Sequence, residues 1–237
     1  MIEIDAVTVS FGGVTALNTL TVQLDAPVVG IIGPNGAGKT TFLNVLSGFV
    51  RPNSGRIHAF GRELTGMQPH QRAQWGLRRS FQKEQAVDEL TVEDNVRVVL
   101  DSLPLSRDVV EDALTGALEF TGISALRRRS VAGLNAFERR MTELARCVAG
   151  SPKLILLDEP GAGFSQSEVA TLRSVINGIA ETIGARTFLI DHDVDLIQAT
   201  CQRTMVLDFG SLVTYGETAS VLADPKVRAV YLGMEET

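Results

Sequence analysis

The most constraining feature of the sequence is a glycine-rich turn between an apolar run and a helical pattern. The turn reads Gly33-Pro34-Asn35-Gly36-Ala37-Gly38-Lys39-Thr40 and fits the pattern G-x-x-x-x-G-K-[ST]. The preceding run, Val28–Ile32, has the length and composition of a buried strand. The residues from Lys39 to Ser47 predict a helix that Gly48 closes. Strand, turn and helix in this order are the context in which the pattern binds phosphate, so we expect an α/β domain.

The chemistry of the loop predicts contacts to a nucleoside triphosphate. Glycines let the backbone wrap around a phosphate, and amide N–H groups at the helix N-terminus point at it. We expect Lys39 to reach the β- and γ-phosphates and the Thr40 hydroxyl to bind Mg²⁺. The alternative is a turn that only caps a helix. The expected ATP-binding residues of the loop are Asn35, Gly36, Ala37, Gly38, Lys39, Thr40 and Thr41.

Strands and helices alternate at both ends of the chain, whereas the middle has only helical periodicity. The strands before the middle segment are predicted at Ile2–Val9, Leu17–Leu24, Val28–Ile32 and Arg56–Phe60. Beyond Pro152 we predict strands at 154–158, 187–191 and 204–208, helices at 166–183 and 193–200, and two short helices within 217–237. The sequence therefore predicts one domain over 1–237, with a parallel-sheet core at 1–82 and 152–237 and a helical subdomain at 83–151.

Composition excludes several classes of protein. The net charge of −6 provides no basic field for nucleic acid. The longest apolar runs have strand length, and the start MIEIDAVTVS lacks the pattern of a signal peptide. Cys147 and Cys201 fit neither a disulfide framework nor a metal site, so we expect buried free thiols. These observations predict a soluble cytosolic globular protein.

A second acidic site is predicted where the apolar run Leu154–Leu157 meets Asp158 and Glu159. Ligands of open α/β sheets bind at the carboxyl ends of strands. We expect Asp158 to hold Mg²⁺ and Glu159 to orient or deprotonate the attacking water beside the γ-phosphate. The alternative, an acid pair that only faces solvent, is weakened by the phosphate loop.

With these motifs in order, the chain resembles the nucleotide-binding subunits of ATP-binding-cassette (ABC) transporters along nearly its whole length. The resemblance implies a P-loop NTPase of the ABC nucleotide-binding type: a RecA-like α/β core with an antiparallel β subdomain and an inserted helical subdomain. It implies an adenine-stacking role for Phe11, a Q-loop role for Gln82 at Mg²⁺ or water, and a γ-phosphate contact for His192. Read without the resemblance, Phe11 and His192 are more often structural residues.

A closer resemblance is to the ATPase subunits of branched-chain amino acid importers and of their urea-importing relatives. It is carried by Phe11-Gly12-Gly13, Leu64-Thr65-Gly66, Arg79-Ser80-Phe81-Gln82, Ala145-Arg146-Cys147, Ile190-Asp191-His192-Asp193 and Ala229-Val230-Tyr231-Leu232-Gly233. It implies an ATPase that powers import of branched-chain or other hydrophobic amino acids, peripheral on the cytoplasmic face of the membrane. The alternatives are a urea or amide importer ATPase and a subunit that binds nucleotide but hydrolyses it poorly.

The implied partners are a second ABC ATPase subunit, two transmembrane permease subunits docked on the helical subdomain and, indirectly, an external substrate-binding protein. We expect a heterodimer of ATPase subunits, with a homodimer as the alternative. Val87, Leu90, Val92 and Val96 line the permease groove in one interpretation and form ordinary subdomain core in the other. A non-transport ABC ATPase is disfavoured, because the chain has one cassette and no long heptad run.

The family signature L-S-G-G-Q is altered in this sequence. Counting back 24 residues from Asp158 gives Leu134-Asn135-Ala136-Phe137-Glu138. Asn135 can still donate a weak hydrogen bond to the partner's nucleotide, whereas the ring of Phe137 would crowd the approach of phosphate to the backbone. The loop after Pro160 is also altered, with Gly163-Phe164-Ser165 where Leu and Asp or Asn usually follow the glycine. We therefore expect the nucleotide site that this signature completes to turn over slowly.

Overall fold

The computed structural model describes residues 1–232. Its contacts divide the chain into two compact units, Met1–Arg72 with Phe188–Thr237, and Ala73–Thr187. The strands are β1 (Ile2–Phe11), β2 (Val14–Leu24), β3 (Val28–Ile32), β4 (Ser54–Ala59), β5 (Arg62–Glu63), β6 (Leu77–Arg79), β7 (Leu154–Asp158), β8 (Arg186–Ile190), β9 (Arg203–Asp208) and β10 (Ser211–Glu217). The helices are α1 (Lys39–Ser47), α2 (Pro69–Trp75), α3 (Val92–Asp101), α4 (Arg107–Phe120), α5 (Ala136–Val148), α6 (Gln166–Gly178), α7 (Val194–Thr200), α8 (Thr218–Ala223) and α9 (Pro225–Leu232).

The first unit contains an antiparallel sheet in the order β2-β1-β4-β5. Residues alternate between buried and accessible positions along β1, as expected for a strand with one face on a core. Strands β1 and β2 form a hairpin whose last pair is Phe11 and Val14. Gly12 lies in the turn with φ 58°, a conformation that glycine adopts at low cost. The hairpin thus ends with Phe11 at the tip of β1.

A second group of strands in the first unit carries the phosphate loop. Strands β10, β9 and β3 are neighbours in this order, with β3 and β9 parallel. All five residues of β3 are buried, as expected for a central strand covered on both faces. Helix α1 follows β3, and its Phe42 stacks on Phe188 with 6.5 Å between ring centroids. Apolar packing therefore fixes the strand and the helix on either side of the loop.

The C-terminus of α1 is held by the fully buried Arg72. Its Nη1 donates to the carbonyls of Val45 and Leu46 at 2.6 and 2.7 Å, and its Nε donates to Met67 O at 3.0 Å. The last carbonyls of a helix lack partners within the helix, and a cation there also interacts well with the helix dipole. Burial lowers the pKa of the Arg72 guanidinium to about 10. Arg72 thus stabilises the helix that begins at the phosphate loop.

The second unit combines a pair of strands with a group of helices. Strands β6 and β7 are parallel, with Leu77 opposite Leu154. Helix α3 begins at the cap Thr91, whose hydroxyl accepts a hydrogen bond from Asp94 N at 3.2 Å. Val92 and Val96 of this helix are fully buried, so they belong to the core and do not line a permease groove. Val87, in contrast, is 43% exposed.

Most predicted elements are confirmed, and four short ones were not predicted. The bounds of α1, β3 and β7 agree with the sequence prediction, and α6 continues as a π-helical turn over Ile179–Ile183. The segment 83–151 contains helices and no named strand. The unpredicted elements are α2, β5, β6 and β10. The two predicted short helices near the end are α8 and α9, while residues 233–237 lie outside the described part. The proposed edges of the helical subdomain remain a prediction.

The structure contains no helix, within residues 1–232, that is long and apolar enough to cross a membrane.

Candidate functional site

The phosphate loop in the first unit has the conformation that its glycines predict. Gly33, Gly36 and Gly38 all have positive φ, at 152°, 81° and 99°. A Cβ added to Gly33 would lie 2.1 Å from Leu207 O, and one added to Gly38 would lie 2.5 Å from Ala16 O. At Gly36 a Cβ would meet nothing within 4 Å, because this glycine faces open space. Two glycines are thus required for packing and the third leaves room for a ligand.

The helix end at the loop is suited to an anion. Gly38 is the N-cap of α1 and provides no side-chain hydrogen bond to the first turn. Thr40, in that first turn, is exposed, and Thr41 is partly exposed. Amide N–H groups of a first helical turn lack partners within the helix and attract negative charge. The start of α1 can therefore bind phosphate.

Lys39 folds back on its own loop in this structure. Its side chain is buried, and Nζ donates to Gly33 O at 2.6 Å and to Pro34 O at 3.0 Å. The ammonium group thus lies against the backbone at the start of the loop. Bound phosphate would replace these carbonyl contacts with stronger charge-assisted hydrogen bonds.

Two further candidates of the first unit are exposed. Phe11, the last residue of β1, is 53% exposed, as a ring that stacks on a base requires. His192 follows β8 and is exposed, while the neighbouring Asp193 caps α7 by accepting from the amides of Asp195 and Leu196 at 2.9 and 3.1 Å. Asp191 is buried and accepts from Asp193 N at 3.0 Å. These bonds fix the backbone on both sides of His192.

The second unit carries the acidic pair at the carboxyl end of β7. Asp158 is 3% exposed, and its Oδ2 accepts from Arg79 Nη2 at 3.2 Å. Arg79 is the last residue of β6, the strand beside β7, so the parallel pairing brings the two side chains together. Burial lowers the pKa of the Arg79 guanidinium, and Asp158 opposes that effect. This ion pair is not evident from the sequence, because its members are far apart along the chain.

Glu159 and Gln82 are brought together in the same unit. Gln82 Nε2 donates to Glu159 Oε2 at 2.9 Å, across 77 positions of sequence. Glu159 also has φ 51°, which is uncommon for a residue other than glycine and has a cost of order 1 kcal/mol. Both side chains lie after the carboxyl ends of neighbouring strands. The structure thus joins two of the three predicted catalytic residues, whose roles remain predictions.

The altered signature forms a well-made helix start. Asn135 is the N-cap of α5, and its Oδ1 accepts from Glu138 N at 2.8 Å. Glu138 Oε2 in turn accepts from Asn135 N at 3.0 Å, which completes a capping box. The side-chain oxygen of Asn135 and the carboxylate of Glu138 are therefore both bound to the backbone of this helix.

The two altered segments of the sequence are in contact with each other. Phe137, in the altered signature, packs edge to face on Phe164, in the altered loop after Pro160. Their ring centroids are 5.4 Å apart, and the ring planes meet at 89°. This arrangement places the positive edge of one ring on the negative face of the other. Each change is visible separately in the sequence, whereas the contact between them is revealed only by the fold.

The donor types at the candidate metal ligands fit Mg²⁺. Asp158 provides a buried carboxylate, Thr40 an exposed hydroxyl and Gln82 an amide oxygen, all of which are oxygen ligands. Among the described residues there is no cluster of three or more His, Cys, Asp or Glu side chains that could hold a metal alone. Mg²⁺ commonly keeps several waters and binds through one or two protein groups plus phosphates, so such a cluster is not required.

The comparison with known families decides the identity of the fold. A family model described as ABC transporter matches residues 17–162, more than half of the chain. This chain belongs to the ABC transporter family. It is therefore an ATP-binding subunit of a transporter and an ATPase of the ABC type.

Curated relatives agree with this assignment. The chain is 37% identical over 206 residues to the lipopolysaccharide export system ATP-binding protein LptB of Acidithiobacillus ferridurans, covering 87% of this chain and 85% of the relative. It is 31% identical over 249 residues to the high-affinity branched-chain amino acid transport ATP-binding protein BraF of Pseudomonas aeruginosa, covering 98% of each. These relatives differ in what they transport, so the family is established and the transported substrate is not.

A solved structure gives the same fold. This ABC ATPase is similar to the crystal structure of the ADP conformation of MJ1267, an ATP-binding cassette of an ABC transporter. The TM-score is 0.86 at 28% sequence identity, and the likeness covers 99% of both chains. The predicted α/β P-loop fold with its ABC-type nucleotide-binding domain is confirmed.

Proposed function

We propose that this ABC ATPase powers the import of branched-chain or other hydrophobic amino acids, as a peripheral subunit on the cytoplasmic face of the membrane. The observation that carries the substrate class is the likeness to BraF, which extends over 98% of both chains. The likeness to LptB is higher in identity but covers 87% of this chain. The proposal includes a second ATPase subunit, two permease subunits and an external binding protein as partners.

The proposed mechanism assigns one role to each group of residues. Phe11 stacks on adenine, and the amides of Asn35 to Thr41 bind the phosphates together with the Lys39 ammonium group. Glu159 accepts a proton from the attacking water or orients it, while Gln82 and His192 position the water and the γ-phosphate. The hydrogen bond between Gln82 and Glu159 supports this assignment, because it ties the base to the segment expected to respond to nucleotide.

Mg²⁺ would be held by Thr40, Gln82 and Asp158 and would neutralise charge on the phosphates. The pairing of Asp158 with Arg79 keeps its carboxylate oriented before any cation is present. That orientation lowers the ordering cost of metal binding, because the side chain is already held in one rotamer.

We further propose that the ATPase subunits form an asymmetric heterodimer. In this arrangement the phosphate loop of this chain is completed by the partner's signature and hydrolyses ATP. The opposite site, completed by Asn135 to Glu138, binds nucleotide and turns over slowly. Two contacts support the slow site: the Glu138 carboxylate already occupies the helix start at Asn135 N, and Phe137 is packed on Phe164. A carboxylate there repels the phosphate that the helix N-terminus would otherwise attract.

A second candidate is an ATPase for a different cargo, and the 37% identity to LptB favours lipopolysaccharide export over urea import. The two cargoes are chemically distinct from amino acids, so a transport assay separates them. A subunit that binds nucleotide but hydrolyses it poorly is the third candidate, favoured by the altered signature.

The transport experiment uses the complete complex reconstituted in proteoliposomes with its binding protein. We expect ATP-dependent uptake of radiolabelled leucine, no uptake of urea, and loss of leucine uptake on Glu159→Gln. The matched control is Glu181→Gln, which changes an exposed acid in the same unit and should leave uptake unchanged. Uptake of urea alone, or ATP-dependent extraction of lipopolysaccharide without leucine uptake, would contradict the proposed substrate.

The asymmetry experiment measures phosphate release by the same complex. Glu159→Gln should lower turnover at least tenfold, whereas the corresponding change in the partner should have a small effect. Phe137→Gly restores the family glycine and should raise turnover, up to about twofold when both sites become active. The opposite pattern, in which only the partner's change abolishes turnover, would mean that the hydrolysing site is the one that contains the partner's phosphate loop.

A further inference from the structure

A small cavity in the second unit, with several charged residues in its wall, is not used by the proposed mechanism. It lies between β6 and the helices α3 and α5 and has a volume of about 70 Å³. Its charged lining residues are Arg78, Arg79, Glu143 and Arg146, and it reaches the surface beside the exposed Gln85.

Arg78 is part of the cavity wall, and one edge of its guanidinium has no hydrogen-bond partner among the described residues. Arg78 is 7% exposed. Its Nη1 donates to Ala73 O at 2.5 Å and to Leu77 O at 3.1 Å. Its Nε and Nη2 have no hydrogen-bond partner among the described residues. These two nitrogens form the side of the guanidinium that donates two parallel hydrogen bonds to the oxygens of one carboxylate.

The charges around the cavity leave Arg78 without a counter-charge. Asp158 pairs with Arg79, and Glu143 pairs with Arg140 at 2.5 Å. No acidic side chain forms an ion pair with Arg78 within the part of the chain that the structure describes. Burying a charge without a counter-charge is costly, because the two hydrogen bonds of Nη1 to carbonyls replace only part of the lost hydration.

Neighbouring titratable groups do not provide Arg78 with a counter-charge. Burial raises the pKa of the Cys147 thiol, also in the cavity wall, to about 12, so the thiol is neutral at physiological pH. Burial likewise raises the pKa of Glu143, and Glu84 raises it further, while Arg140 opposes the shift. Burial lowers the pKa of Arg78. An anion beside Arg78 would oppose this lowering of the Arg78 pKa.

We propose that this cavity binds a single carboxylate group, held side-on by Nε and Nη2 of Arg78. Arg146 provides a second donor, because its Nε also has no hydrogen-bond partner among the described residues. The volume of about 70 Å³ is sufficient for a small carboxylate group. The carboxylate has two sources, a small free anion or an acidic side chain of a partner subunit. The second source rests on the proposed function; the first does not.

The first experiment uses the isolated chain and two salts at equal ionic strength, sodium formate and sodium chloride. Both anions carry one negative charge, but chloride is a single atom and cannot accept two parallel hydrogen bonds on separate oxygens. An anion at ten times its dissociation constant raises Tm by about 3–6 °C, so formate should stabilise the chain relative to chloride. Arg78→Met should abolish the difference, and the exposed control Arg128→Met should retain it.

Arg78→Lys is a second variant that keeps the charge and removes the two-nitrogen edge. It should weaken formate binding at least fivefold, measured by the broadening of the formate proton resonance in NMR titrations. Equal Tm values in both salts for the wild type would overturn the proposal. Retention of the formate effect by both Arg78 variants would also overturn it. In either case the cavity simply holds water.

The second experiment repeats the formate titration on the assembled transporter. If formate no longer binds, an acidic side chain of a partner subunit fills the cavity; if formate still binds, the source is a free anion. Neither titration requires ATP hydrolysis or transport. Failure of the proposed function therefore leaves the formate result unaffected, and the two proposals can fail separately.

Discussion

The contact between Phe137 and Phe164 predicts that the two altered segments are energetically coupled. We consider Phe137→Ala, Phe164→Ala and the double variant. An edge-to-face pair contributes about 0.5–1.5 kcal/mol beyond the apolar area that it buries. The observed centroid distance of 5.4 Å and angle of 89° match this geometry. Both rings are only half-buried, so each single change should cost about 1–2 kcal/mol. The double variant should cost less than the sum, by about 0.5–1.5 kcal/mol.

Urea unfolding measures this coupling directly. The protein has one tryptophan, Trp75, which lies in the same unit as the pair, so its fluorescence reports the relevant transition. A double-mutant cycle isolates the pairwise free energy when each single change removes the contact without forming a new one. The control combines Phe137→Ala with Val98→Ala, an exposed position of α3, and should be additive. Additivity of the two phenylalanine changes within about 0.3 kcal/mol would refute the coupling.

Three further predictions concern stability, each measured by urea unfolding. Arg72→Met removes two hydrogen bonds to the last carbonyls of α1 and a third to Met67 O, and should cost about 3–5 kcal/mol, whereas the exposed control Arg51→Met should cost little; an equal effect of both would contradict the role of Arg72. Asn135→Ala removes the cap of α5 and should cost about 1 kcal/mol, while Asn135→Ser should restore most of it; equal stability of the two variants would argue against capping. Burial raises the pKa of Cys147 and Cys201 to about 12 from an ordinary 9.0. The unfolded chain then loses thiol protons that the folded chain retains, so stability should fall by about 2–3 kcal/mol between pH 8 and pH 10; the double Cys→Ala variant should lack this part of the decrease, and an unchanged pH dependence would contradict it.

Local signals in the sequence were sufficient for three elements that carry or precede candidate site residues. The bounds of α1 were predicted correctly because Gly38 and Gly48 both have positive φ in the structure and end the helical pattern on each side. Strands β3 and β7 were predicted correctly because buried parallel strands are continuous apolar runs. In these segments the local preference and the tertiary environment agree.

Elements without such signals were missed for identifiable reasons. Strand β10 has partly accessible residues at most positions, and its pairing with β9 through the turn at Gly210 provides the stability that its pattern lacks. Helix α2 has seven mostly polar residues, too few for periodicity to be visible. The ion pair of Arg79 with Asp158 joins residues 79 positions apart, so only the parallel register of their strands reveals it.

The folded-back position of Lys39 changes how a substitution there must be interpreted. Its Nζ bridges two carbonyls of the loop, so the lysine stabilises the loop itself in addition to its expected phosphate contact. Lys39→Ala therefore removes the two hydrogen bonds within the loop together with the expected phosphate contact. Weaker ATP binding by that variant would combine the effects of both losses. Two experiments separate the stabilisation of the loop from the binding of phosphate. One replaces Lys39 with a lysine analogue of equal length and a neutral end, and the other titrates Lys39→Arg with pyrophosphate. Lys39→Ala is thus a poor measure of how much the charge of the lysine alone contributes to ATP binding.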